Sequence, residues 1–426
     1  MRPSTNLALG ILLGCSAGAW ALDTPTTLHH TKAKETGLAA THHAGRKAAS
    51  HAARSTSHAA VITGKTPIVS THGRSHTLAS SHVGIRHASL TTRRHRYYER
   101  FTASSFAEGV IGEGDITAGE DPIVRQAAID ALDGMNGTAV VINPTNGRIL
   151  AMVNQKLALS PGAEPCSTIK LSVALAALSE GLVTRDTPVN LGGWRMNMTE
   201  AIAKSNNVYF EELGRELGFE RVRHYATQFG LGELAGYNIE GEQLGTYPEE
   251  ALPASEGGVG RMCSFGQGVN MTPLQLGAFV SAIANGGTLY YLQHPTTQDE
   301  ITNFEPRIKR TLDIARFVPD LQDGMAGAVE YGTARRLRAN FQEFPVFGKT
   351  GTCSNEGTRY GWFVSYGESP QGPLVTVFFL EGGRPTFGPR AAELTGGFYR
   401  NLWDRNYFIE KTPEVTAATT DAPASR

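Results

Sequence analysis

Apolar and polar residues follow two different periods along the larger, C-terminal part of this chain. In several stretches apolar residues recur three or four positions apart, which is the spacing of one face of a helix. Shorter runs rich in β-branched and apolar residues lie between turn formers and have the length of strands. The pattern predicts helices at 121–132, from 167 onwards, at 199–218 with a break at 205–207, at 274–285, at 320–331 and at 390–403, and strands at 137–142, 148–154, 346–352, 362–366 and 374–380.

These elements predict an α/β layer structure. Consecutive strands joined by short turns form an antiparallel sheet, and the last helix covers it. Two glycine-rich stretches, 225–247 and 257–268, are predicted to be loops and turns.

The first 21 residues have a different pattern. One arginine precedes an almost uninterrupted run of apolar and small residues that ends in Ala19-Trp20-Ala21, a small-x-small cleavage site. This pattern predicts a secretory signal peptide at 1–21. The run Leu12-Leu13-Gly14-Cys15 is an alternative, since it resembles the lipobox of bacterial lipoproteins and would place a lipid on Cys15. Both alternatives predict an exported, periplasmic or cell-envelope protein.

Residues 22–100 contain few large apolar side chains. They hold 11 of the 13 histidines, and 12 Lys/Arg against 3 Asp/Glu. Such a segment buries too little apolar surface to offset its ordering entropy, so we predict a disordered, cationic linker. It is suited to lie along an anionic wall polymer or membrane surface. Its histidines have no fixed spacing and are expected to be a solvated spacer rather than a metal site.

Charge separates the linker from the rest of the chain. Subtracting the linker's net +9 and Arg2 from the overall −1 leaves −11 for residues 101–426. A nucleic-acid partner is therefore not expected for the folded part. That part is predicted to span 101–411 as one domain or two joined lobes, followed by a disordered Ala/Thr-rich tail at 412–426.

Three short motifs carry candidate chemistry. Ser167 lies three residues before Lys170 at the start of a predicted helix, so their side chains share one face, about 5–6 Å apart at Cβ. Ser205 and Asn207 lie in the break between two helical segments, and Lys349-Thr350-Gly351 lies in a predicted strand. Each motif alone is common: the first is typical of a helix N-cap, the second of a helix connection and the third of a strand end.

Together and in this order, the motifs resemble the signature of penicillin-binding proteins and serine β-lactamases, with Asn206 where that signature has Asp. Flanking motifs strengthen the likeness to the penicillin-binding transpeptidase domain over roughly 122–403: Asn143-Pro144, Gly266-Gln267-Gly268, Thr272-Pro273-Leu274-Gln275, Asn285-Gly286-Gly287 and Gly332-Thr333-Ala334. The resemblance implies a β-lactamase/transpeptidase-like fold, with a five-stranded antiparallel sheet flanked by helices and an all-helical lobe. It also implies D,D-transpeptidase activity on D-Ala-D-Ala stem peptides of peptidoglycan, with β-lactams as covalent inhibitors.

The resemblance assigns a role to each residue. Ser167 is the nucleophile and Lys170 its base, while Ser205 passes a proton to the leaving D-alanine and Asn207 holds Lys170 and the substrate amide. Lys349, Thr350 and Thr352 bind the terminal carboxylate, with Gly351 keeping the strand open for the substrate backbone. The N–H groups of Ser167 and Thr352 form the oxyanion hole. No cofactor and no metal are expected, and His224 and His294 are expected to be structural.

Other activities stay open. The resemblance also allows a D,D-carboxypeptidase or a serine β-lactamase, although no E-x-x-x-N loop of class A enzymes is present. Glu240 and Glu242 lie in the corresponding region, where Glu242 resembles a structural turn residue. A protein of another class, a non-catalytic sensor of β-lactams or muropeptides or a wall-binding protein, remains an alternative.

The cysteines add one expectation. Cys166 precedes the predicted nucleophile and Cys353 lies two residues beyond Gly351, an arrangement that resembles the disulfide of some class A carbapenemases. The resemblance implies a bridge from Cys166 to Cys353, with two buried thiols as the alternative. Cys263 is expected to be a buried small hydrophobic residue.

Overall fold

The computed structural model describes residues 100–409. The predicted signal peptide, nearly all of the predicted linker, the alternative lipid site at Cys15 and the predicted tail lie outside the described residues. Their boundaries therefore stay predictions.

The described part of the chain contains both helices and strands. The helices are α1 (Pro122–Leu132), α2 (Gln155–Ala158), α3 (Lys170–Ser179), α4 (Met198–Ala203), α5 (Asn207–Leu217), α6 (Phe219–Gln228), α7 (Gly258–Phe265), α8 (Pro273–Ala284), α9 (Gln298–Thr302), α10 (Val318–Glu330) and α11 (Gly388–Asp404). The strands are β1 (Gly137–Asn143), β2 (Arg148–Val153), β3 (Val189–Asn190), β4 (Arg195–Met196), β5 (Thr288–Tyr290), β6 (Ile308–Thr311), β7 (Val346–Asn355), β8 (Thr358–Ser369) and β9 (Gly372–Gly382). Short 3₁₀ turns occupy Cys166–Ile169, Ala254–Glu256, Ala315–Phe317 and Arg335–Ala339.

Five strands form one antiparallel sheet in the order β2-β1-β9-β8-β7. Both faces are covered, so neighbouring residues of a strand enter different cores: Phe379 packs with residues of α3 and α8, and Phe378 packs with residues of α1 and α11. This explains why β8 and β9 are almost continuously buried rather than alternating. The predicted five-stranded antiparallel sheet flanked by helices is confirmed, and β7 lies at its edge.

The prediction of a loop at 257–268 is wrong, because residues 258–265 form α7. Glycine lowers helix propensity, but packing against α5 overrides it here. Gly214 of α5 lies so close to α7 that a Cβ atom there would stand 2.6 Å from the Cys263 sulfur. Cys263 is fully buried at this contact, as expected. The start of the other predicted loop, 225–228, is also helical and ends α6.

The turn between α4 and α5 is a Schellman motif. The Ser205 N–H donates to Ile202 O (3.1 Å) and the Asn206 N–H to Ala201 O (2.9 Å), which satisfies the last carbonyls of α4. Asn206 then caps α5 by accepting from the Tyr209 N–H (2.9 Å). Ser205 occupies the left-handed position of the motif (φ 53°), where glycine is usual. Ser205 therefore carries a side chain at a position where any side chain strains the backbone.

We predict that Ser205→Gly is more stable than Ser205→Ala by about 1 kcal/mol, because only alanine retains the left-handed backbone penalty. Both variants lack the hydroxyl, so the comparison isolates the backbone conformation. Chemical denaturation of the two purified variants measures the difference. Equal free energies of unfolding, or a more stable alanine variant, would contradict this explanation of the turn.

Candidate active site

Ser167 lies in a 3₁₀ turn, whereas the sequence predicts that a helix begins at this serine. The turn spans Cys166–Ile169, and α3 begins at Lys170. The Thr168 N–H and hydroxyl both donate to Pro165 O, at 3.1 and 2.7 Å, which closes the turn. Cys166 has a left-handed backbone (φ 50°). The tighter turn still places Ser167 and Lys170 on one side, as predicted.

Lys170 is fully buried and its amine lies among oxygen atoms. The Nζ atom is 2.7 Å from Ser167 Oγ and 2.7 Å from Asn207 Oδ1. It is also 3.3 Å from both the backbone oxygen and the hydroxyl of Ser205. Three segments thus meet at the Lys170 amine: the 3₁₀ turn with Ser167, the turn before α5 with Ser205, and α5 with its first residue, Asn207.

Lys349 reaches the same place from the sheet. It lies on the edge strand β7, is fully buried, and donates from Nζ to Ser205 Oγ (2.8 Å) and to Thr350 O (2.9 Å). Ser205 Oγ therefore lies between the two lysine amines. Five predicted catalytic residues, Ser167, Lys170, Ser205, Asn207 and Lys349, are brought together.

Thr350, Gly351 and Thr352 continue β7 past this cluster. The Thr350 hydroxyl donates to Thr333 Oγ1 (2.7 Å), and Thr352 Oγ1 accepts from the Gly388 N–H at the start of α11 (2.8 Å). Since the Thr352 oxygen accepts from Gly388, its own proton remains free to donate to a ligand. Thr333 was not predicted as a site residue, although its motif, Gly332-Thr333-Ala334, was noted as part of the resemblance.

The strand and the serine turn are packed directly against each other. A Cβ atom at Gly351 would stand 2.8 Å from Pro165 O, so glycine allows this close approach. The Trp362 indole N–H donates to Glu164 O (2.9 Å), two residues before Cys166. The sulfur atoms of Cys166 and Cys353 lie at bonding distance, with their Cα atoms 5.5 Å apart. Three contacts thus fix the turn to the sheet edge.

Burial shifts the ionisation of both lysines. Burial lowers the pKa of Lys349 to about 7. Burial, and next the charge of Lys349, lower the pKa of Lys170 well below its usual value, against the attraction of Glu211. Burial therefore favours the neutral form of both amines, and for Lys349 that form is accessible near neutral pH.

A neutral Lys170 fits its surroundings as a base. It has two N–H donors and one lone pair, while the Ser205 carbonyl and Asn207 Oδ1 can only accept. If the donors go to these two oxygens, the lone pair faces Ser167 Oγ at 2.7 Å. The arrangement can thus remove the proton of Ser167 and generate a nucleophile.

The two histidines of the described part lie apart from this cluster. His294 pairs with buried Glu120 (3.0 Å), and His224 lies edge-on to Tyr225. Within residues 100–409 no group of three or more His, Cys, Asp or Glu side chains is arranged to hold a metal ion. Over the same range, no helix combines the length and the apolar character needed to cross a membrane.

We predict that Lys349→Met flattens the pH dependence of stability. An unfolded lysine has a pKa near 10.4, and that of folded Lys349 is about 7. Between these values the unfolded state binds more protons, so Lys349 makes stability rise with pH, by up to about 1.4 kcal/mol per pH unit. Denaturation at pH 7.5, 8.5 and 9.5 measures the slope. An unchanged slope in the variant would show that Lys349 keeps an ordinary pKa.

Comparison with known proteins places the chain in a family. The pattern described as the penicillin binding protein transpeptidase domain matches residues 137–386. Stage V sporulation protein D of Bacillus subtilis is 29% identical over 322 residues, which cover 63% of this chain and 49% of that protein. Peptidoglycan D,D-transpeptidase MrdA of Escherichia coli is 24% identical over 309 residues, covering 63% and 48%. The chain thus spans about half the length of these curated relatives.

Solved structures share the fold. The transpeptidase domain of Burkholderia pseudomallei penicillin-binding protein 3 has a TM-score of 0.59 at 20% identity, covering 71% of this chain and 99% of that one. Pseudomonas aeruginosa PBP2 has a TM-score of 0.58 at 22% identity, covering 71% and 81%. Since the family pattern matches more than half of the chain, this protein belongs to the family of the penicillin binding protein transpeptidase domain.

Proposed function

We propose that this protein is a penicillin-binding serine D,D-transpeptidase that acts on D-Ala-D-Ala stem peptides of peptidoglycan through an acyl-serine intermediate. The observation that carries the proposal is the 2.7 Å contact between buried Lys170 Nζ and Ser167 Oγ. The lowered pKa of Lys170 favours the neutral amine, which is the base that a serine hydroxyl requires. Relatives named peptidoglycan D,D-transpeptidases support the same activity.

In the proposed reaction Ser167 Oγ attacks the carbonyl of the penultimate D-alanine, and its proton passes to Lys170. The peptide bond breaks, and the leaving D-alanine takes a proton by way of Ser205, whose hydroxyl lies between the two lysines. An acceptor amine then attacks the acyl-serine and releases Ser167. The N–H groups of Ser167 and Thr352 would stabilise the oxyanion in both steps, each by about 3–4 kcal/mol.

The terminal carboxylate of the donor would bind at the Lys349 end of β7. Thr352 presents a free hydroxyl proton there, and Thr350 would contribute through its hydrogen bond to the Thr333 hydroxyl. An anion next to Lys349 favours its charged form. Asn207 would orient Lys170 through its side-chain oxygen and the substrate through its amide N–H groups. The edge position of β7 leaves room for the donor backbone to pair along it.

Hydrolysis is the second candidate activity, either of stem peptides or of β-lactams. Glu242, one of the two carboxylates considered from the sequence, accepts from the N–H groups of Ala235 (2.9 Å) and Gly236 (3.0 Å) and so stabilises its own loop. Glu240 is exposed. Neither is thereby supported as a deacylating base, which favours transfer over hydrolysis.

We also propose export to the periplasm or cell envelope through residues 1–21, cleaved or lipidated at Cys15. The cationic segment 22–100 would hold the domain near anionic wall or membrane surfaces.

We predict that a fluorescent penicillin labels the protein covalently and that Ser167→Ala abolishes labelling. Ser160→Ala, a nearby serine outside the cluster, is the matched control and should label normally. Because Lys170 must be neutral to act as the base, labelling should slow as the pH is lowered and Lys170 gains a proton. Absence of labelling in folded protein would overturn the proposal together with the sensor alternative.

Release of D-alanine from a pentapeptide, with and without an acceptor amine, then separates the alternatives. Transfer predicts a cross-linked product that grows with acceptor concentration, whereas a carboxypeptidase gives only hydrolysed peptide. Labelling without turnover of any peptide would favour the sensor.

We predict that Cys166 and Cys353 form a disulfide in exported protein, because their Cα atoms lie 5.5 Å apart, within the range that a disulfide spans. Replacing both with serine should lower the free energy of unfolding by about 2–4 kcal/mol, because the bridge closes a long loop. Peptide mapping without reduction tests the pairing, and Cys263→Ser controls for loss of a cysteine. Recovery of both residues as free thiols would refute the bridge.

A further inference from the structure

Two adjoining cavities lie at the sheet edge opposite the candidate active site. Their volumes are about 290 and 530 Å³, and Tyr237 and Asn238 line both. Gln293, which lines the smaller one, pairs in parallel with Arg148 of β2, and β2 and β7 are the two outer strands of the sheet. The width of the sheet therefore separates the two cavities, together called the distal groove, from Lys349.

Backbone pairing gives the distal groove a fixed shape. The Tyr237 N–H donates to Leu292 O and the Leu292 N–H to Ala235 O, both at 2.8 Å. Glu242 accepts from the N–H groups of Ala235 and Gly236. A Cβ atom at Gly236 would stand 2.5 Å from the Glu242 carboxylate, so glycine allows this contact. Because the groove is preformed, a ligand that enters it loses little free energy in ordering it.

An aromatic ring is displayed in the distal groove. Tyr237 is 40% exposed, although two neighbours hold its ring. Arg307 lies 4.1 Å from the ring centroid, and Tyr291 lies edge-on with its centroid 6.1 Å away. Lys309 in turn lies 5.3 Å from the Tyr291 centroid. These contacts fix the Tyr237 ring without covering it, so the ring offers a flat apolar surface with a hydroxyl at its rim.

The charges of the distal groove favour an uncharged ligand. Four carboxylates and two cations line it: Glu233, Glu242, Glu300, Glu305, Arg307 and Lys309. The acidic excess repels an anionic polymer. Most carboxylates are already engaged within the protein, since Glu233 pairs with Lys309 (2.7 Å) and Glu300 accepts from a backbone N–H group (2.6 Å). A cationic ligand therefore finds few free partners.

His294 presents a buried acceptor to the smaller cavity. Its side chain is 5% exposed and lines that cavity, and its Nε2 atom lies 3.0 Å from Glu120 Oε1. Glu120 also binds the Arg125 guanidinium as a carboxylate, which only accepts, so Nε2 donates and Nδ1 of the neutral ring is an acceptor. Among residues 100–409 Nδ1 has no hydrogen-bond partner, and it is not one of the fully buried unpaired atoms. It is therefore open to the cavity.

Two side-chain amides line the same cavity. Within the described range, the side chains of Asn238 and Asn303 make no hydrogen bond to another protein group, and each amide both donates and accepts. Arg307 adds donors alone. These groups match a ligand that has an apolar face for Tyr237, hydroxyls for the amides and a carbonyl oxygen for the guanidinium. A sugar ring with an acetamido group combines these features.

We propose that the distal groove binds a chain of N-acetylated amino sugars. The C–H face of one sugar ring packs on Tyr237, its hydroxyls bond to His294 Nδ1 and the two amides, and Arg307 donates to the acetamido carbonyl. This inference goes beyond the proposed function and does not depend on it, because the groove shares no residue with the cluster around Ser167.

Calorimetric titration of the unmodified protein with chitotetraose, the tetramer of N-acetylglucosamine, tests the proposal. We expect saturable binding, which Tyr237→Ala weakens about tenfold and Asn303→Ala about threefold. Trp194→Ala is the matched control, because it removes an exposed aromatic ring outside the groove, and it should leave the dissociation constant unchanged. Cellotetraose has the hydroxyls but no acetamido group and should bind about fivefold more weakly.

Labelling by fluorescent penicillin keeps this inference apart from the proposed function. The three variants should label normally, which also shows that they fold, and unlabelled Ser167→Ala should bind chitotetraose with unchanged affinity. In protein that labels, any of four results overturns the inference alone: no saturable chitotetraose binding, equal weakening by Trp194→Ala and Tyr237→Ala, equal affinity for cellotetraose, or tighter binding of linear polyphosphate. Saturable chitotetraose binding by unmodified protein that does not label overturns the proposed function and supports the inference.

Discussion

Two lysine amines are buried side by side around one hydroxyl, and the rest of the site depends on this arrangement. Lys170 and Lys349 are both fully buried, and Ser205 Oγ lies 3.3 Å from one amine and 2.8 Å from the other. Two ammonium groups at such a place would repel each other and lack hydration, so the fold favours their neutral forms. The stabilising contacts in the rest of the domain offset the free-energy cost of burying these two amines. In the proposed mechanism these two lysines supply a base and an anion-binding group, roles that ordinary surface lysines cannot fill.

The architecture brings the two amines together from independent directions. α3 carries Lys170, the edge strand β7 carries Lys349, and the strained turn before α5 inserts Ser205 between them. α10 and the residues that follow it pack against α4, which precedes this turn. Gly324 of α10 contacts Ile202, and the Thr333 N–H donates to Ala203 O (3.2 Å). A Cβ atom at Gly324 would stand 2.7 Å from the Ile202 side chain, so glycine allows this close approach. The site is therefore rigid before any substrate arrives, as electrostatic catalysis requires.

Most helices and strands and the main motifs could be predicted from the sequence because they depend on local patterns. The pairing of Ser167 with Lys170 follows from their spacing, whereas the contact between Ser205 and Lys349 joins residues 144 positions apart and was reached only through the resemblance. The 3₁₀ turn at Ser167, helix α7 and the contact of Thr333 with Thr350 were not predicted. Each depends on packing between segments distant in sequence, such as Gly214 against Cys263, which no local period reveals.

The contact between the serine turn and β7 also determines at which stage of synthesis and folding the site forms. Cys166 and Cys353 are separated by 187 positions, so the turn with Ser167 and Lys170 is synthesised long before the strand that covers it. Until β7 docks, Lys170 is hydrated, lacks the repulsion of Lys349 and keeps its proton. In the proposed mechanism Ser167 would then have no base and would behave as an ordinary hydroxyl. We therefore expect a nascent or truncated chain to be unreactive, because the proposed base forms only in the finished domain.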